Sequence, residues 1–373
     1  MIKRIFSLVA TLIVLAAAVV FAPSFSIDSG RLVSAKTLSV SAAELQLVCP
    51  GGAILSGGSA GTSVGQFARL GKAAVTVGGA DLTSTTVQAL NGEGNSARGS
   101  ASFGAASSAS IGLSSQQQGS TALNASQLQL AANARLNGLL GASCQAPRTD
   151  LWLIGGDTST GRETLLLLSN PSKADATVSV TAIGLGGATA SSSGISVVAG
   201  GSQVVPVSSI LPETKSIAIH ITSHGSAIAA WLQQRTLRGL NYAGADFVGP
   251  SPDFANQVQV PGILIRGSKD GNALASSNAD YFDLIPTLRI YNPNSKAINF
   301  TAQITGADSK SFGTVIRDTV PANSVSDFTI TGLQDGDYAA FIDADATIGA
   351  SVRLPRTKKS QKPITDFTWL PSI

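Results

Sequence analysis

Charge is scarce in this chain. Asp, Glu, Lys and Arg together supply 13% of 373 residues, and only Glu44, Glu93, Glu163 and Glu213 are glutamate. Those residue types normally build exposed helix faces, so their scarcity argues against long helices in the folded body. The net charge of +3 is too small to argue for a polyanion, and no nucleic acid is expected as a partner. Histidine occurs twice, His220 and His224, and cysteine twice, Cys49 and Cys144. Neither cysteine has a Cys or His at chelating spacing, and on a strand residues four apart lie roughly 13 Å from each other, so no metal or cofactor site is expected. Aromatic residues make up 5%, which leaves few side chains to line a glycosidase cleft.

What remains is apolar and small: 43% hydrophobic residues and 39 glycines. Lys3 and Arg4 precede an uncharged run over residues 5–22. At helical rise that run spans ~27 Å, enough to cross a bilayer. Basic residues ahead of it predict a cytoplasmic tip and an extracytoplasmic body behind a single-pass anchor. The alternative is a signal peptide cleaved near Val33-Ser34-Ala35, giving a secreted protein. Both readings export the chain. Two cysteines beyond the apolar run then suit one disulfide, Cys49–Cys144, in an oxidising compartment.

The strongest internal signal is a duplication. Residues 165–184, LLLLSNPSKADATVSVTAIG, are echoed by residues 287–306, TLRIYNPNSKAINFTAQITG. Residues 215–236 are echoed by residues 336–357, each expected as strand, tight turn and second strand closing on Arg-Thr. Within the repeats Ala176, Val178, Val180 and Ala182, and again Ile298, Phe300, Ala302 and Ile304, alternate with polar residues, the period of a strand with one buried face. Such strands need a second sheet, and modules of this size fit a β-sandwich. Asp335-Gly336-Asp337-Tyr338 resembles the tyrosine corner of immunoglobulin-like sandwiches. The two modules are expected to share one topology, with Asn170-Pro171 and Asn292-Pro293 at the same edge.

The predicted organisation is all-β: a tip, anchor and linker over residues 1–35, a disulfide-closed, loop-rich β-domain over 36–148, and immunoglobulin-like sandwich modules over 149–261 and 262–373. Strands are expected over residues 36–46 and 73–77, and residues 91–126 read as low complexity or small-residue strands. Boundaries are expected near Pro147 and Pro261.

Candidate chemistry is thin. Gly57-Gly58-Ser59-Ala60-Gly61 has the letters of a nucleophile elbow, but in a Gly/Ser-rich setting without a strand and helix around it. Asp335, Asp337, Asp343 and Asp345 cluster without the spacing of a calcium loop. His220 reads as a solvent-facing strand residue. Trp231 alternates to the outside of its strand and is the candidate binding aromatic. Arg356, Lys358 and Lys359, near Arg353 and Lys362, form the one basic cluster and the second candidate surface.

Val48-Cys49-Pro50-Gly51, Gly138 to Cys144, Pro147, Asp150-Leu151-Trp152, Gly155-Gly156 and Leu167 to Pro171 resemble a set of exported actinobacterial envelope proteins grouped as a domain of unknown function. The resemblance implies a membrane-tethered or secreted envelope protein and carries no catalytic residue with it. The resulting expectation is a non-catalytic extracytoplasmic binding or scaffolding protein, supporting envelope polysaccharide assembly, with an envelope polymer or a membrane protein as partner. The alternative is an envelope hydrolase acting on polysaccharide or peptide crosslinks.

Overall fold

A computed structural model of the chain describes residues 45–57, 67–71, 73–78, 85–90, 97–98, 101–103, 110–115, 123–132, 135–239, 241–307, 313–358, 360 and 363–373. The expected anchor, residues 36–44 and Ser59 lie outside these. No helix among the described residues is long and apolar enough to cross a membrane.

The body is all-β. Its N-terminal part contains β1 (Leu45–Cys49), β2 (Ala53–Ser56), β3 (Phe67–Leu70), β4 (Ala73–Gly78), β5 (Thr85–Ala89), β6 (Ala97–Arg98), β7 (Ala101–Phe103), β8 (Ile111–Ser115), β9 (Asn124–Ala132) and β10 (Asn137–Ser143). They form two antiparallel sheets, β1-β8-β5-β6 and β10-β9-β4-β7, and the hairpin β2-β3. Val75, Val77, Val87, Ile111 and Leu113 pack between them around the Cys49–Cys144 disulfide.

The first repeat supplies β11 (Asp150–Ile154), β12 (Arg162–Ser169), β13 (Ala176–Gly184), β14 (Thr189–Val197), β15 (Ser202–Pro206), β16 (Ile217–His224), β17 (Ala229–Arg238) and β18 (Asn241–Val248). Two sheets, β11-β16-β13-β14 and β15-β12-β17-β18, enclose one core. The second repeat supplies β19 (Ala255–Ile265), α1 (Ser268–Ser277), β20 (Thr287–Asn292), β21 (Ile298–Gly306), β22 (Thr314–Val320), β23 (Ser324–Thr329), β24 (Gly336–Lys358) and β25 (Ile364–Pro371). The first half of β24 pairs with β19 and β21, and its second half with β20 and β25. The sheets β19-β24-β21-β22 and β23-β20-β24-β25 therefore reproduce the first repeat strand for strand, as the duplication predicts.

Two details differ from the sequence expectation. Residues 225–228 connect β16 to β17, but β24 has no turn and passes from one sheet into the other as a single strand. Gly349 sits at this crossing, where a Cβ would lie 2.3 Å from Ile154 Cδ1. The register also slips. Leu166 pairs with Leu232 and its counterpart Leu288 with Val352, so Arg235 corresponds to Pro355. Arg235-Thr236 and Arg356-Thr357 are thus not equivalent. Pro261 lies inside β19 at a break in its register, where its missing N–H costs no ladder bond.

Both Asn-Pro steps use the asparagine in one way. Asn170 Nδ2 donates to Ala174 O (2.8 Å) and Val197 O (2.9 Å), and Asn292 Nδ2 donates to Lys296 O (2.9 Å) and Val320 O (3.1 Å). Each amide ties the turn after its strand to the end of the strand that returns beside it. Tyr338 Oη donates to Gln334 O at 3.1 Å, the hydrogen bond of a tyrosine corner.

The cores are not independent. Leu165, Leu167, Ala229 and Trp231, on the outer face of the first sandwich, pack against Val48, Ile54, Leu136 and Leu140 of the N-terminal part. Ile154, Ile183 and Ala218, on its opposite outer face, meet Tyr291 and Val325 of the second sandwich. Phe367 and Trp369 of β25 complete the core of the first sandwich. Two carboxylates, the buried Asp246 and the half-buried Asp366, join the strand edges there. Asp246 accepts from Gly141 N (3.0 Å), Thr368 Oγ1 (2.7 Å) and Trp369 N (3.0 Å), and Asp366 accepts from Leu139 N at 2.9 Å.

Candidate functional site

The seam between the two sandwiches carries the densest chemistry. In the first sandwich the outer face at Leu167 and Gln233 lies against the N-terminal part, and the matching positions of the second sandwich are Arg289 and Arg353. Buried arginines on a strand face need carbonyls and carboxylates. Arg289 crosses the seam, donating through Nη1 to Gly156 O (2.6 Å) and through Nη2 to Lys215 O (2.9 Å), while Asp327 holds it from the other side at 2.7 and 2.8 Å. Its guanidinium also lies 4.8 Å from the centre of the Trp369 ring.

Beside it a pocket of about 270 Å³ opens at the seam. Asp157, Ser216, Gln234, Arg353 and Trp369 form its buried wall. Phe282 and Leu185 stand exposed at the rim, with the Lys215 ammonium 4.5 Å from the centre of the Phe282 ring. Gln234 Oε1 accepts from Trp369 Nε1 at 2.6 Å, the one hydrogen bond its side chain makes among the described residues. Asp157 Oδ1 accepts from Ser159 N (2.8 Å) and Ser159 Oγ (2.6 Å). Burial raises the Asp157 pKa despite those bonds and the nearby Arg289 and Arg162.

Behind the pocket one carboxylate serves three guanidiniums. Asp283 meets Arg162 at 3.0 Å, Arg238 at 2.5 Å and Arg353 at 3.4 Å, all four side chains being buried. Burial alone would raise the Asp283 pKa, but Arg353, Arg238 and Arg162 together hold it below the usual carboxylate value. Burial lowers the Arg353 pKa, with Asp283 opposing. The Nε atoms of Arg162 and Arg238 are buried without hydrogen-bond partners.

A family model described as a family of unknown function, DUF5719, matches residues 71–373. The chain belongs to the DUF5719 family. No curated protein and no solved structure matches the chain significantly. The DUF5719 match takes in both sandwiches and the whole seam, together with Cys144, while Val48-Cys49-Pro50-Gly51 precede it.

The residues singled out by sequence fall elsewhere. Cys49 and Cys144 are bonded as expected. Trp231 does point away from its own sandwich core, but the N-terminal part roofs it: the side chain is 0% exposed and Nε1 donates to Ser143 O at 3.3 Å. It is a core residue and not a binding surface, because alternation reports which face a side chain takes and not what covers that face. The basic cluster divides, with Arg353 buried at the seam and Arg356 and Lys358 exposed, while Lys359 lies outside the described residues. Asp335 accepts from Gly267 N and Ser268 N at the start of α1, Asp337 pairs with Arg266, and Asp345 accepts from Asn299 N. No group of three or more metal-ligating side chains occurs among the described residues. His220 stacks on Trp152 with ring centres 4.2 Å apart and contacts Asp150 at 3.1 Å. The seam residues escaped sequence reading, although one signal was present. Gln233-Gln234-Arg235 and Arg289 interrupt otherwise apolar strands, and polar residues at such positions must find buried partners.

Proposed function

We propose that this protein is a non-catalytic extracytoplasmic binding or scaffolding protein of the cell envelope, held to the membrane by a helix over residues 5–22, and that its seam pocket is where it binds. The observation that carries this reading is the pocket itself, whose buried Gln234 amide and Asp157 carboxylate face space between two rigid sandwiches. Preformed clefts with a few convergent polar groups at module interfaces are where ligands bind. The disulfide supports an oxidising, extracytoplasmic location. Matching sandwich topologies and the tyrosine corner support an immunoglobulin-like ancestry for both modules, a class of fold that serves mainly as a rigid presenter of sites.

The test is crosslinking in intact cells through a photoreactive residue at position 282, on the pocket rim, followed by fractionation. An adduct with an envelope polymer or membrane protein in the membrane fraction is the expected result. Recovery of the protein in the cytosolic fraction with reduced cysteines would sink the location. Hydrolysis of wall material by the purified chain, lost on removal of Asp150 or His220, would replace binding by catalysis.

A further inference from the structure

We propose that the seam pocket binds a monosaccharide-sized anion, a hydroxyl-bearing ring carrying one carboxylate or phosphate group. This rests on the reading of the seam as the binding site and adds the class of ligand.

Charge gives the sign. Five cations, Arg162, Lys215, Arg238, Arg289 and Arg353, gather at the pocket and behind it, against three carboxylates, Asp157, Asp283 and Asp327. Asp327 neutralises Arg289, and Asp283 is divided among three guanidiniums, so positive charge is left over in a poorly solvated place. Uncompensated buried charge is costly, and an anion entering the pocket relieves it. Among the described residues Lys215 at the rim has a ring and no carboxylate as its partner, so its ammonium is placed to meet the anionic group.

The remaining groups fit a polyol. Gln234 Nε2 offers donors, Asp157 Oδ2 an acceptor and Ser216 Oγ both, on a wall where none of these atoms is hydrogen-bonded to the described residues. The Phe282 ring, 41% exposed, presents an apolar surface at the mouth against which the C–H face of a sugar ring can pack. At about 270 Å³ the pocket is at the small end of ligand sites, which run from roughly 300 to 1,000 Å³, and suits one ring better than a chain.

The measurement is calorimetric titration of the full chain in detergent with glucuronate, glucose 6-phosphate, glucose and inorganic phosphate. Binding of glucuronate or glucose 6-phosphate, with glucose and phosphate each at least tenfold weaker, is expected, and whichever sugar anion binds more tightly identifies the source of the charge. Lys215→Glu, at an exposed position, should weaken that binding more than tenfold, and Phe282→Ala should weaken it by about three- to tenfold. Glucose binding as tightly as the sugar anions would overturn the need for charge, and phosphate binding as tightly would overturn the need for a ring. No saturable heat with any of the four, or Lys215→Glu binding like the parent, would overturn the ligand class. Because the envelope reading is tested separately by crosslinking at position 282, an adduct there alongside a blank titration removes the ligand class alone.

Discussion

At the scale of single residues, the most informative side chains are polar ones in apolar surroundings. Asp246 is buried where β10, β18 and β25 meet, and burial pushes its pKa from 3.8 up to about 7. The folded protein therefore keeps a proton on Asp246 between about pH 4 and pH 7, where the unfolded chain has lost it. Stability from this group is greatest near the acid end and declines as pH rises through that window. Urea denaturation of wild type and Asp246→Asn from pH 4.5 to 7.5 should show the wild-type advantage growing as pH falls, and a difference that stays flat would place the titration on another group. Trp231 makes a second case. Trp231→Ala should destabilise the fold by ~3–5 kcal/mol, as removal of a packed core aromatic does. Equilibrium unfolding checks this, and sugar binding at the seam should survive in the folded fraction.

At the scale of elements, the duplication explains why so much of the fold was legible. Alternation at Ala176 to Ala182 and at Ile298 to Ile304, with two Asn-Pro steps at matching places, fixes strand, turn and buried face without reference to anything distant. Asn170→Ala and Asn292→Ala should each cost ~2–4 kcal/mol, since the first strands two backbone carbonyls and the second three at the same corner of its sandwich. Unequal costs measured by chemical denaturation would show that the corners have diverged. Legibility ended where a strand face depends on remote chain. In β9 the glutamines Gln127 and Gln129 turn inward and Leu128 and Leu130 outward, opposite to simple alternation. Gln127 exchanges hydrogen bonds with Gly51 N and O, and Gln129 accepts from Ala53 N, substituting for a paired strand. Gln233 does the same with Ile54. No local pattern predicts such pairings, since the partners lie 76 to 179 residues away. The seam was hidden for the same reason, because Arg289 and Arg353 are explained by Gly156, Lys215 and Asp283 and not by their neighbours in sequence.

At the scale of the whole molecule, the layers share cores, so residues 45–373 should unfold together. The disulfide closes a separation of 95 residues, and in the simplest loop-entropy account its loss costs roughly 4–5 kcal/mol. In Cys49→Ala/Cys144→Ala the calorimetric transition should move down as one peak. A split into an early N-terminal transition and an unshifted later one would show that the apolar contacts of Trp231, Leu165 and Leu167 with the N-terminal part do not couple the layers.

The position of β25 has a consequence for how the molecule can be made. Its Phe367 and Trp369 finish the core of the first sandwich, whose own strands end at Val248. A chain emerging N-terminus first, whether from a ribosome or through a translocation channel, carries an unfinished first sandwich until β25 arrives. Vectorial assembly, module after module, is therefore closed to it. A protein cut short before Ile364 would lack Phe367 and Trp369 and would leave the core of its first sandwich open on one flank, for proteases to find.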